Sequence, residues 1–200
     1  METPNNTTQA CTAFDGHRRI AAGPLPAVAL AVKRALQSTT PGPVLIYSDA
    51  TGRLVDVDLR GSDEEIVARI SPGETPASEA APAARGRGRP RLGVVSREVT
   101  LLPRHWDWLG AQPGGASVAL RKLVEEARLA NQEQDRYRQR QEAAYHFMSS
   151  IAGDMAGFEE ATRALFANDR ERLGLCVAGW PQDVRNHALR LAFEPDTAAA

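Results

Sequence analysis

The sequence predicts an α+β chain: a small N-terminal ββαββα module, a flexible linker, and a strand-helix-helix segment continued by a C-terminal helical bundle. Three observations carry that prediction. Val55, Val57 and Leu59 alternate with Asp56, Asp58 and Arg60, the period of a strand with one wet face. Apolar residues recur at three- and four-residue spacing in LPAVALAVKRALQ, in SVALRKLVEEAR and through the C-terminal third, as amphipathic helices require. Between them SPGETPASEAAPAA holds three prolines, no aromatic and no large aliphatic residue. Such a stretch cannot bury enough to offset its ordering entropy, which makes it a linker.

The composition sets outer bounds. With 200 residues, 42% hydrophobic and 24% charged, the chain can bury a real core, so disorder is not the expectation for its whole length. The opening METPNNTTQACTAF has neither the basic-then-apolar pattern of a secretory signal nor that of a transit peptide. No later window approaches the roughly 18 apolar residues of a membrane span, and the expected location is cytoplasmic. Cys11 and Cys176 are then packing residues rather than a disulfide or half of a zinc site.

In the N-terminal module, Asp15-Gly16 supplies the tight turn of a hairpin between CTAF and HRRIAAG. Pro24 opens a helix whose stripe is Val28, Ala31, Val32 and Ala35, and Pro41-Gly42-Pro43 stops it. VLIYSDATGRLVDVDL reads as a second hairpin with Gly52 in its turn. Ser62 caps DEEIVARI, and Glu65 three residues on completes a capping box. These boundaries give a module over residues 1–70, a linker with a basic arm over 71–91, a strand-helix-helix over 92–130, a bundle over 131–193 and a disordered tail over 194–200.

Charge is concentrated where the linker ends. Arg85, Arg87, Arg89, Arg91, Arg97 and Arg104 face a single acid, Glu98, a local charge of +5 in a chain whose formal net charge is −1. Arg87-Gly88-Arg89-Pro90, with Arg91 behind it, resembles the core of an AT-hook. The resemblance implies an extended arm in a narrow minor groove, where arginines meet enhanced negative potential, glycine permits close approach and proline holds the backbone extended. A flexible basic tether is the plainer account of the same residues.

Beyond the arm, residues 94–102 are β-branched and aliphatic, Pro103 can open the helix PRHWDWLGAQ, and Pro113-Gly114-Gly115 breaks it. Ser117 is placed to cap the next helix, whose stripe is Leu120, Leu123, Val124 and Ala127. This order over some 35 residues resembles ribbon-helix-helix DNA-binding proteins. The resemblance implies a homodimer whose paired strands enter the major groove and whose second helix starts on a phosphate. In one register Arg97, Val99 and Leu101 point outward and only Arg97 can donate to a base edge; in the other, Glu98 aims a carboxylate at the groove. Either register weakens direct base reading.

The last 70 residues are helical. Asn131–Arg140 is almost wholly polar, so the run from Ser117 to Ile151 is one long helix or two. Asp154 is the expected cap of MAGFEEATRALFA, with Met155, Phe158, Thr162, Leu165 and Phe166 inward; Asn168 with Glu171 is the expected cap of RERLGLCVAGW. Trp180-Pro181 starts a final helix carrying Val184, Ala188, Leu191 and Ala192. Short helices of this kind must bury their stripes on one another.

Nothing in the pattern marks an enzyme. The histidines 17, 105, 146 and 187 and the two cysteines lack metal-ligand spacing, no nucleophile elbow or phosphate loop occurs, and no cofactor is expected. Asp56 and Asp58 share a strand face, where alternating acids are ordinarily just solvated. Trp106, Trp108 and Trp180 can serve an interface or a core.

Over its whole length the chain is similar to a bacterial family defined only as a domain of unknown function (family 2239). The residues that carry the likeness are FDGHRRIAAGPL, GRPRLGVVSREVTLLPRHWDWLGAQPGGASVALRKLVEEAR, AAYHFMSSIAGDMAGFEEATRALFANDRERL and WPQDVRNHAL. It implies a bacterial source and no mechanism. The expected function is duplex DNA binding as a homodimeric regulator, through Arg87, Gly88, Arg89, Pro90 and Arg91 on the minor groove or backbone, Arg97 on a base edge or phosphate, and Ser117 at a phosphate. The alternatives are a protein-interaction or assembly module and small-molecule binding by the N-terminal sheet.

Overall fold

A computed structural model describes residues 9–38, 42–71, 95 and 97–194. The chain is α+β and mostly helical. Its two compact units are Met1–Pro76 with Arg136–Ala200, and Ala77–Asp135. Apart from Ser71, which ends the helix Asp63–Ile70, the linker lies outside the described residues, as does all of the basic arm from Arg85 to Arg91.

In the first unit, β1 (Ala10–Asp15) lies between β2 (Arg18–Pro24) and β3 (Val44–Ser48) in an antiparallel sheet of order β2-β1-β3. The Asp15-Gly16 hairpin forms as the sequence predicts. Helix α1 (Leu25–Gln37) buries Leu25, Val28, Ala29 and Val32. Helix α2 (Asp63–Ile70) carries the expected capping box, Glu65 N–H donating to Ser62 Oγ and Ser62 N–H to Glu65 Oε2. Together α1 and α2 pack on Cys11, Ala13 and Ile46. Phe14 and Tyr47 join a separate core with Phe147, Leu165, Leu173, Val184 and Ala188 from the C-terminal helices. The central strand is thus covered on both faces, which is why CTAF reads as a continuous apolar run rather than an alternation. The N-terminal module and the C-terminal helices, distant in sequence, share this unit.

The second hairpin is only half made. Beyond β3, Leu54 bridges Tyr47 and Val55 N–H donates to Ile46 O at 2.8 Å, but residues 55–60 form no strand. Val55, Val57 and Leu59 still turn inward against the α1–α2 core. The register of that bridge sets Asp58 opposite Pro43, which has no N–H to donate, and the carbonyls of Asp58 and Arg60 accept from the Arg69 side chain instead. The module is therefore ββαβα, not ββαββα.

Helix α3 is Pro103–Gly110 and helix α4 is Gly115–Ile151. Asn131–Arg140 is continuous helix within α4, built from good helix formers with no glycine or proline between Ala116 and Ile151. Helix α5 is Phe158–Phe166, and it begins four residues after the expected Asp154 cap because Gly157 stands at φ 82°, outside helical space. Helix α6 (Arg170–Cys176) is capped by Asp169, whose Oδ1 accepts from Arg172 N–H at 2.9 Å; Asn168, at φ 57°, instead ends α5. Helix α7 is Gln182–Phe193, opened by Pro181 as the sequence predicts. Trp180 is buried and donates from Nε1 to Ala156 O at 2.9 Å.

The turn that follows β3 meets α4 backbone to backbone. A Cβ on Gly52, which stands at φ 64°, would lie 1.8 Å from Ala143 O. Gly52→Ala adds left-handed strain to that clash and should destabilise the chain by at least ~2 kcal/mol, read as a lowered urea midpoint at unchanged slope. Gly174→Ala, with nothing within 4 Å of the added carbon, is the matched control.

Candidate functional site

The residues expected to meet DNA divide between described and undescribed positions. Arg87, Gly88, Arg89, Pro90 and Arg91 lie outside the described residues. Arg97 is exposed. Ser117 is exposed as well, but it is not a cap: α4 starts at Gly115, and Ser117 sits in the first turn with its carbonyl accepting from Arg121 Nε at 3.1 Å. The helix starts earlier because Gly114, at φ 86°, already supplies the reversal that Ser117 was expected to follow.

The strand expected over residues 94–102 is absent from this single chain: positions 95 and 97–102 carry no strand. A ribbon strand needs a second strand to pair with, and one chain offers none here. Val99 is 54% exposed and Leu102 48%. On α3 and α4, Leu109 and Ala119 are buried, whereas Trp106, Trp108, Leu123 and Val124 face solvent, Val124 at 63%. The predicted α4 stripe is present in sequence and largely uncovered in the monomer.

A second polar constellation, which the sequence pattern did not single out, lies in the first unit. Asp49, just after β3, is held by its N–H donating to Ala10 O at 2.9 Å. Its Oδ1 accepts from Thr12 Oγ1 at 2.8 Å, and its Oδ2 from an Arg190 guanidinium nitrogen at 2.9 Å. The same nitrogen lies 3.0 Å from His187 Nδ1 and 3.4 Å from Thr12 Oγ1. A guanidinium only donates, so Nδ1 is the acceptor and the neutral imidazole carries its proton on Nε2. That Nε2 is buried and lacks a hydrogen bond, with Asp49 Oδ1 3.7 Å away, too far for one. Phe14 and Phe147 set their rings against the imidazole, at centroid distances of 5.4 and 4.5 Å. Burial, then the Arg190 and Arg19 charges, push the His187 pKa down to about 3.

Nothing in this knot has the geometry of a reaction centre. Thr12 is fully buried, Arg190 is ion-paired, and among the described residues no three His, Cys, Asp or Glu side chains converge on a metal position. The knot ties α7 to the sheet. Cys11 beside it is a packing residue whose thiol is pushed up to about 12 by burial and by the Asp49 charge. Asp56 and Asp58 do not share a strand face: Asp58 is engaged by Arg60 and Arg69, and the bonds from Arg60 hold its carboxyl well below the usual range. The signal for the knot was readable in retrospect, because His187 occupies the i+3 position of the Val184, Ala188, Leu191 stripe, where an apolar residue is the rule.

Two consequences can be measured. Arg190→Ala leaves the Asp49 carboxylate, with its side chain 9% exposed, buried and without its cation; it should cost ~3–5 kcal/mol in chemical denaturation. His187 has a folded pKa below its ordinary 6.5, so the unfolded chain takes up that proton first as the pH falls. Its contribution is complete above pH 6.5 and drains away towards pH 3. His187→Gln should therefore flatten the fall in urea midpoint between pH 6.5 and 5, relative to the unsubstituted chain.

Among the described residues no helix is long and apolar enough to cross a membrane. A family model described as an uncharacterized protein conserved in bacteria (DUF2239) matches residues 10–192. No curated protein and no solved structure matches the chain.

Proposed function

We propose that this chain, which belongs to the bacterial family DUF2239, is a homodimeric DNA-binding regulator assembled through its central segment. The observation that carries the reading is the number of large apolar side chains left exposed in the central segment. Among the described residues there, Val95, Val99, Leu102, Trp106, Trp108, Leu123, Val124 and Leu129 are exposed, while Leu109 and Ala119 are buried. Exposed apolar residues this frequent in one segment are what an interaction surface would use. A second copy is the occupant that the likeness to ribbon-helix-helix proteins supports. Two-fold pairing would bring residues 94–102 of each chain together as a ribbon and give the orphan strand its partner.

DNA is the proposed ligand of the arginine-rich arm that precedes this segment in sequence. On this reading Arg87, Arg89 and Arg91 lie along the minor groove or phosphates with Gly88 and Pro90 shaping the arm, Arg97 reaches a base edge or phosphate, and the α4 amides from Gly115 to Ser117 receive a phosphate. The same exposed residues also favour a second reading, an assembly module that binds no DNA.

Three measurements decide between them. The full chain should retard a mixed-sequence duplex at low salt, with log affinity falling linearly against log salt; alanine at Arg87, Arg89 and Arg91 together should reduce that slope by about 3. Sedimentation should give a dimer at micromolar concentration that Val99→Asp turns into a monomer. A dimer without retardation leaves the assembly reading standing, and a wild-type monomer removes the paired ribbon.

A further inference from the structure

We draw no further inference here: the strongest candidate, the seam of Leu123, Ala127 and Ala130 along the exposed middle of α4, belongs to the central segment already proposed to meet a second copy of the chain, and nothing in the structure shows what covers it.

Discussion

The ion pair between Asp49 and Arg190 is the contact on which the closure of the first unit depends. A three-stranded sheet has two faces to cover, and α1 with α2 can cover only one. The other carries Phe14 and Tyr47 and is covered by helices more than a hundred residues later in the chain. Apolar packing alone would let α7 slide along that face, because its stripe of valine, alanine and leucine offers little registration. Arg190 removes the freedom by reaching Asp49, Thr12 and His187 together, and Asp49 is itself fixed by the Ala10 carbonyl on the neighbouring strand. A buried ion pair is seldom the cheapest source of stability, but it is directional, and register is what a small sheet under a featureless helix lacks.

The same economy explains what sequence patterns could and could not reveal. Local signals were legible: the Asp15-Gly16 turn, the Ser62 capping box and the Pro181 start all depend on residues within a few positions of one another. So did the inward alternation of Val55, Val57 and Leu59. What was not legible is whether an alternating segment finds a partner strand; here the carbonyls of Asp58 and Arg60 accept from the Arg69 side chain instead. Similarly, Asp154 and Asn168 are good capping residues, but Gly157 and the left-handed Asn168 backbone move both helix starts. The Asp49–Arg190 knot joins residues 141 positions apart, and no periodicity reports such a distance. Only His187, a polar side chain in a core stripe, left a trace.

The site residues show the same split. Ser117 fitted the capping preference, but a glycine pair two residues earlier turns the chain first, so the helix starts at Gly115. Val99 and Leu101 were ambiguous between core and groove in either strand register; in one chain Val99 is exposed and Leu101 half-buried, which fits neither a finished core nor a polar reading edge. On the proposed dimer, Val99 and Leu101, two apart, would share one face of the paired strands.

The two units differ in how far they bury their large apolar residues. Residues of the first unit fill two cores and leave few large apolar groups outside, with Leu36, Leu54, Phe166 and Leu175 as scattered exceptions of the kind any surface tolerates. The described residues of the second unit bury little and expose much. On the proposed reading a second chain would cover those exposed groups. Tryptophan placement makes the difference observable: Trp180 is buried in the first unit, while Trp106 and Trp108 are exposed in the second. Events at the central segment and events in the sheet core thus act on different indoles, and a change confined to one class locates its cause in one unit.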